Sequence, residues 1–359
     1  MTVDFAPALP ALSPDLATAV PELSFDLAPD RSASEPPEAS GLPRDSVRLL
    51  VARPDKLTNV RMADLAAQLD PGDLLVVNTS ATLAAALDGT RADGRRVAVH
   101  FSTALDDGSW LVELRPVRDA TGPLRDIAPG ELVRLPAGVV LTVLLADPGG
   151  RLWRARIGVE GGVERYLARH GRPISYSYVP RRWPLTAYQT VFAREPGSAE
   201  MPSAGRPFTS ELVVSLVTSG ITIAPVTLHA GVSSLERGEP PLAERYRVPE
   251  ATARLVNDTR AAGGRVVAVG TTVTRALESV ADKHGNVTPG AGWTTLVLGV
   301  NRPARVVSGL VTGWHAPGAS HLALLEALAG APLVSAAYRE ALRRDYLWHE
   351  FGDSCLLLP

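Results

Sequence analysis

The chain reads as an α/β protein, a mixed, largely parallel sheet domain interrupted by an inserted antiparallel β domain. Three observations carry this. From Thr209 onward helical and strand-like segments alternate, the pattern of a sheet whose strands are joined by helical crossovers. Between residues 79 and 160 short β-branched runs follow one another with turn residues, and no helix, between them, as in an antiparallel sandwich or small barrel. The length, 359 residues, exceeds what a single core usually serves.

Residues 1–40 are rich in Ala, Pro, Ser and acidic residues, with EPPEAS at 35–40. They lack sustained periodicity, so a mobile tail is expected. Order is expected to begin near Arg44, with Val47, Leu49, Leu50 and Val51 as a strand-like run. A short helix over 62–69 stops at the turn Asp70-Pro71-Gly72-Asp73, and LLVVN follows as a strand ending at Asn78. The inserted domain carries RVAVHF, WLVEL, ELVRL, VVLTVLL and RLWRARI, punctuated at Asp93-Gly94, Asp107-Gly108, Ala137-Gly138 and Pro148-Gly149-Gly150. A connection then gathers Tyr176, Tyr178, Arg181, Arg182, Trp183, Tyr188 and Gln189 in a chain only 5% aromatic. Aromatics interleaved with arginine suit stacking on bases beside phosphate contacts, and equally suit covering a domain interface.

Thr209 or Ser210 caps the next helix, with Glu211 in its first turn and Gly220 at its end, before the strand ITIAPVTLH. A helix from Pro249 to Gly263-Gly264 leads into RVVAVGTTVTRALES at 265–279. Strands near 294–299 and 305–312, helices from Ser320 to Ala329 and from Val334 to Tyr346, and a closing strand CLLL complete the chain. The division that results is a tail at 1–40, an α/β domain at 41–78 with 176–359, and an inserted β domain at 79–175.

Composition narrows the function classes. Apolar content of 45% and charged content of 21% are those of an ordinary globular chain, and the formal net charge of −2 gives no global positive field for nucleic acid, so RNA contact must rely on local patches. The single cysteine, Cys355, excludes an internal disulfide and a multi-cysteine metal site, and fits a reducing cytoplasm. No apolar run approaches a membrane span in length, so no membrane partner is expected. Oligomeric state is not legible.

The 265–279 stretch organises the α/β part. Its strand turns sharply at Gly270, with hydroxyls at Thr271 and Thr272, into a helix containing Arg275. Free N–H groups at such a terminus suit an anionic or electron-rich ligand edge, or Thr271 or Thr272 simply caps a structural helix. Ligands of open α/β sheets sit beyond the carboxyl ends of strands. That rule brings His229, Gly270 to Thr272, and His315 to one sheet edge.

The blocks PGDLLVVN (71–78), YQTVFAREPG (188–197), VTLHAG (226–231), RVVAVGTTVTRALES (265–279), LVTGWHAPGAS (310–320) and AYREALRRDYLWHEFGDSCLL (337–357) resemble, in this order, the S-adenosylmethionine:tRNA ribosyltransferase-isomerase family of queuosine biosynthesis. The likeness covers roughly residues 42–358. It implies an α/β domain carrying an inserted antiparallel β-barrel, S-adenosylmethionine as ribosyl donor, tRNA as partner and no metal. The reaction implied moves and isomerises the ribosyl part of the donor onto the aminomethyl group of 7-aminomethyl-7-deazaguanine, giving epoxyqueuosine with release of adenine and methionine. Such chemistry needs a base for the proton beside the sulfonium, donors to the leaving adenine, and an anchor for the methionine carboxylate. His229 and His315 are the candidates for proton transfer. Thr271, Thr272 and Arg275, with Gly270, are candidates for anchoring; Tyr188 and Gln189 for framing the base; Asn78 for substrate binding; Asp353 for orienting a neighbour.

The chain also departs from the family pattern. Thr79-Ser80-Ala81 replaces an Asn-Thr-Arg continuation, Pro207 stands where the family has histidine, and Ser233-Ser234-Leu235 replaces Gly-Thr-Phe. GEPPLAERY is a shortened form of a histidine-rich stretch, leaving Glu244 as the match to its glutamate, and Thr312-Gly313-Trp314-His315 departs from Thr-Asn-Phe-His. A proline neither donates nor titrates. Three readings follow: the family activity; a ribosyltransferase that uses the same donor with another acceptor; and a non-catalytic nucleoside- or RNA-binding paralogue.

Overall fold

LLVVN is apolar over its first four positions, Leu74 to Val77, because it lies between two strands and two layers. In the computed structural model, which describes residues 21–117, 122–147, 150–233 and 241–359, β3 (Leu74–Asn78) is wholly buried. A strand covered on both faces reads as a continuous apolar run. Before it come β1 (Arg48–Arg53) and β2 (Lys56–Arg61), a hairpin turning at Pro54-Asp55. After it come β4 (Ser80–Thr82), β5 (Ala86–Arg91), β6 (Arg96–Ala104), β7 (Trp110–Pro116), β8 (Leu132–Arg134), β9 (Val140–Ala146), β10 (Trp153–Ile157) and the helix α1 (Val163–His170). The second part holds β11 (Glu195–Ser198), α2 (Ser210–Thr218), β12 (Thr222–His229), β13 (Glu244–Val248), α3 (Glu250–Ala261), β14 (Val266–Val269), α4 (Thr271–Ser279), β15 (Gly290–Thr294), β16 (Gly309–Gly313), α5 (His321–Ala329), α6 (Ala331–Arg343) and β17 (Ser354–Leu357).

Nine strands form one mixed sheet in the order β15-β13-β12-β3-β14-β16-β17-β1-β2. Its centre, β12-β3-β14-β16, is parallel, and so is the β17-β1 pair; β16-β17, β1-β2, β12-β13 and β13-β15 are antiparallel. Parallel pairing is thus confined to the centre and one flank rather than prevailing throughout. Alternate residues serve opposite layers. Leu74, Val76 and Ala268 face a core built with α3 to α6, whereas Leu75, Val77 and Val267 face Leu212 and Leu216 of α2. Strands β5 to β10 close a separate antiparallel barrel in the order β10-β7-β6-β5-β8-β9. It has its own core, including Val99, Phe101 and Leu141, with Tyr166 and Leu167 of α1 packed into it. The two parts also meet through the short parallel pair β4-β11.

Several expectations are corrected. The region expected to be a mobile tail is, from residue 21, packed on the α/β domain. Phe25 lies 5.2 Å from the Tyr338 ring and 6.2 Å from Trp348, and the Glu326 carboxylate accepts the backbone N–H groups of Glu22 (2.9 Å) and Leu23 (2.8 Å). Ser32 bridges to Trp348, and Glu38 pairs with the buried Arg206 at 2.8 Å. A few apolar side chains and supplied hydrogen bonds order a segment whose composition alone reads as disordered; residues 1–20 lie outside the described residues. The short helix expected over 62–69 is present as a 3₁₀ helix, Met62–Gln68.

No strand runs over 305–308, because the Glu278 carboxylate takes the N–H groups of Arg305, Val306 and Val307 at 2.9, 2.8 and 3.2 Å. The strand expected near 294–299 instead occupies Gly290–Thr294. The turn at Pro148-Gly149, the Ser234-Leu235 departure and the start of GEPPLAERY fall outside the described residues. No single helix among those described is long and apolar enough to cross a membrane.

Candidate functional site at the carboxyl ends of the parallel strands

The loops after β3, β12, β14 and β16 open on one edge of the sheet. Asn78 fastens three of them. Its Nδ2 donates to the Leu228 carbonyl (2.8 Å) and to Thr272 Oγ1 (3.3 Å), and its Oδ1 accepts from the N–H groups of Ser80 and Leu228, each at 3.0 Å. Gly270 turns β14 into α4 with φ of 98°, a conformation glycine adopts without the clash a Cβ brings. Gly270 itself is therefore the N-cap residue. No side chain caps α4, which corrects the capping role considered for Thr271 or Thr272.

A cavity of about 300 Å³ lies over this edge. It is lined by Gly270, Thr271, Thr272 and Arg275 at the start of α4 and by Gly313, Trp314, His315 and His321 after β16. Tyr176, Tyr178, Tyr188, Glu200, His349 and Glu350 also line it. Among the described residues, the buried Tyr188 hydroxyl and Trp314 Nε1 have no hydrogen-bond partner. Buried polar groups are rarely left so, and a ligand in the cavity is one way to satisfy them.

The titratable groups here are mostly uncharged. His315 Nε2 is 3.0 Å from Thr312 Oγ1, its backbone N–H donates to the Tyr338 hydroxyl (3.2 Å), and its carbonyl accepts from Trp348 Nε1 (3.1 Å). Burial holds this imidazole well below its ordinary value, with His321 and His349 adding to the shift. His321 is pushed down to about 4 by burial and then by the Arg275 charge, and His349 to about 4 by burial. Glu350 moves the other way. Burial lifts it to about 7, against hydrogen bonds from its own backbone and from the Tyr178 hydroxyl (2.8 Å). The Tyr178 ring lies flat on His349 at 4.0 Å and 12°, with Tyr176 beyond it at 5.9 Å. Glu200 is fully engaged, accepting from the Tyr176 hydroxyl and from the Ser233 hydroxyl and N–H.

Of the residues singled out from the sequence, His315, Tyr188, Gly270, Thr271, Thr272 and Arg275 line this cavity, whereas Asn78, His229, Gln189 and Asp353 do not. The Arg275 guanidinium is committed to Glu244 and to the carbonyls of Leu242, Thr294 and Leu296. Gln189 pairs with both backbone groups of Thr82 at 3.0 and 2.8 Å. His229 Nδ1 is 2.7 Å from Ser80 Oγ, which in turn meets Ser198 Oγ at 2.6 Å. Burial depresses the His229 pKa, with Glu195 opposing and Arg245 and Arg247 assisting. Asp353 holds the Arg48 guanidinium (2.6 Å) and the Leu347 N–H (2.8 Å), fixing the loop that carries His349 and Glu350.

Sequence reasoning missed His321, His349, Glu350 and Glu200. Their signal was faint: seven histidines in the chain, of which three meet here from separate segments. Two departures from the family pattern, Ala81 and Pro207, lie outside the cavity lining, whereas Ser233 is part of it. Three and four residues after the cavity-lining Tyr178, Arg181 and Arg182 are exposed. The Arg181 guanidinium lies 4.7 Å from the centre of the Trp183 ring, and the Arg182 charge is felt at Arg172.

Comparison with known proteins agrees with this geometry. Residues 20–357 match the family model described as queuosine biosynthesis protein. The chain is 36% identical over 354 residues to the S-adenosylmethionine:tRNA ribosyltransferase-isomerase of Acidiphilium cryptum, covering 94% of this chain and 98% of that one. It is 37% identical over 345 residues to the enzyme of the same name from Gloeobacter violaceus, covering 94% and 95%. The crystal structure of the Thermotoga maritima S-adenosylmethionine tRNA ribosyltransferase superposes with a TM-score of 0.52 at 28% identity, covering 93% of this chain and 99% of that one. An α/β sheet carrying a closed six-stranded barrel, with these levels of identity along nearly the whole chain, places the protein in the S-adenosylmethionine:tRNA ribosyltransferase-isomerase family of queuosine biosynthesis.

Proposed function

We propose that the protein transfers and isomerises the ribosyl moiety of S-adenosylmethionine onto the aminomethyl group of 7-aminomethyl-7-deazaguanine in tRNA, giving epoxyqueuosine, adenine and methionine. The observation that carries this reading is the cavity at the strand ends, where a carboxyl titrating near pH 7 faces imidazoles kept neutral. The donor's sulfonium acidifies the neighbouring C5′–H, and a base takes that proton. The electron pair left on C5′ forms a bond to C1′ as the C1′–O4′ bond breaks towards O4′, and O4′ then takes C5′ to close the epoxide while methionine leaves with the C–S bonding pair. Adenine leaves with the glycosidic pair and gains a proton, while the attacking amine loses one as its new C–N bond forms.

A group whose pKa lies near the operating pH is suited to hold such a proton, and neutral imidazoles are suited to donate or accept hydrogen bonds at the leaving base and the ribose. In this reading His315 serves the nucleoside directly. His229, fixed between Ser80 and Gly197 outside the cavity, positions the junction of β12 with β4 and β11. Thr271 and Thr272 present the start of α4 to the donor, and Arg275 supports that helix through Glu244. The exposed Arg181 and Arg182 beside Trp183 offer phosphate contacts and a stacking face for the RNA.

The test is incubation of the purified protein with S-adenosylmethionine, with and without RNA bearing 7-aminomethyl-7-deazaguanine, following adenine, methionine and the RNA nucleosides by mass spectrometry. Epoxyqueuosine formed with stoichiometric adenine and methionine supports the reading. Donor consumption only with a different acceptor redirects it, and a donor that binds but stays intact with every acceptor rejects catalysis.

A further inference from the structure

The carboxyl groups of the cavity are not equivalent. Glu200 is engaged by Tyr176 and Ser233, and Glu244 by the Arg275 guanidinium. Glu350 accepts from one side chain, the Tyr178 hydroxyl at 2.8 Å, and among the described residues it forms no ion pair. The rings of Tyr176, Tyr178 and His349 stand in a row beside it and fix that hydroxyl. The Arg206 charge that reaches Glu350 belongs to a buried guanidinium already paired with Glu38. His315, His321 and His349 are uncharged at neutral pH, and the remaining charged neighbour, Glu200, has the same sign as Glu350. The cavity therefore holds a half-buried carboxyl that desolvation pushes up to about 7, while the Arg206 and Arg275 guanidiniums are each paired with another carboxylate.

We propose that Glu350, held by Tyr178, is the counter-ion seat for the sulfonium of the donor, so that the site selects a charged sulfonium over the neutral thioether left when that charge is lost. This rests on the reading of S-adenosylmethionine as substrate. A sulfonium carries its charge without N–H donors, so the electrostatic attraction of a desolvated carboxylate is its natural recognition. The arriving cation stabilises the ionised carboxylate, and the carboxyl discharges its proton on binding. Once the sulfonium has become a thioether or left as methionine, the attraction ends and the products are released.

The test is calorimetric titration of the full chain with S-adenosylmethionine and with S-adenosylhomocysteine, which keeps the ammonium, carboxylate and adenosine but has a neutral sulfur. Wild type is expected to prefer the sulfonium by roughly tenfold or more at pH 8. Glu350→Gln is expected to bring that preference close to unity while leaving the thioether's affinity within about twofold. Tyr178→Phe, which frees the carboxyl without removing it, is expected to reduce the preference in part, and serves as the second variant should Glu350→Gln fold poorly. A preference that survives in both variants overturns the proposal. Equal loss of affinity for both ligands in Glu350→Gln also overturns it, because the carboxylate then serves the shared ammonium. Wild type binding both ligands equally rejects the sulfonium seat and leaves the substrate reading standing, whereas wild type binding neither rejects both.

Discussion

The imidazoles of His315 and His321 stack face to face at 4.6 Å with their planes 4° apart. Two protonated rings in that arrangement would repel, and both are held neutral chiefly by burial. The unfolded chain binds protons at these histidines, and at His349, near the ordinary value of 6.5, whereas the folded chain resists until about 4 at His321 and His349. Their contribution to stability is thus complete above pH 6.5 and is lost as pH falls towards 4. Glu350, raised from 4.5 to about 7, acts in the opposite sense over an overlapping range, but three imidazoles outweigh one carboxyl. Urea denaturation at pH 7.5, 5.5 and 4.5 is expected to show a decline of a few kcal/mol, and His321→Asn is expected to flatten it.

Gly197 lies against the ring of His229, where an added Cβ would come 2.4 Å from Nδ1. Gly197→Ala is expected to push the imidazole off Ser80, costing about 1–3 kcal/mol. Turnover should fall with it, while affinity for S-adenosylmethionine, bound in a cavity that His229 does not line, changes by less than about threefold. Thermal melting and single-turnover kinetics check the two parts separately.

Arg275 is buried and the Glu244 side chain is only 12% exposed, so removing one partner leaves the other largely desolvated and unpaired. Arg275→Ala is expected to cost about 3–5 kcal/mol. The double variant Arg275→Met with Glu244→Gln should recover much of that loss, since neither charge then remains buried alone. Chemical denaturation of the three chains decides it.

Phe25 contacts both Tyr338 and Trp348. Phe25→Ala is expected to lower stability by about 1–3 kcal/mol, read as a drop in melting temperature. An unchanged melting temperature would return residues 21–40 to the role of a dispensable tail.

Reversing both exposed arginines, Arg181→Glu with Arg182→Glu, is expected to raise KM for the modified RNA by on the order of tenfold at low salt, with affinity for S-adenosylmethionine unchanged. Steady-state kinetics at two salt concentrations separates this from a loss of fold, because only the RNA term depends on those charges.

The local parts of the fold are legible in the order of the residues. The apolar run before Asn78 announced a strand, the turn pairs of 79–160 announced an antiparallel unit, and Gly270 announced the sharp exit from β14. These features are written in short-range sterics and periodicity, so they are legible one segment at a time. His315, Thr271 and Thr272 were reached because strand ends can be counted along the chain. The tertiary structure alone decided which partners each side chain meets. Arg275, an apparent anchor, is consumed by Glu244. Gln189 closes on the backbone of Thr82. A proline-rich tail packs through Phe25, and Glu350 takes its proton affinity from burial among residues distant in sequence. Desolvation and pairing depend on the whole fold around a group, which is why the charge state of the cavity could not be read from the order of its residues.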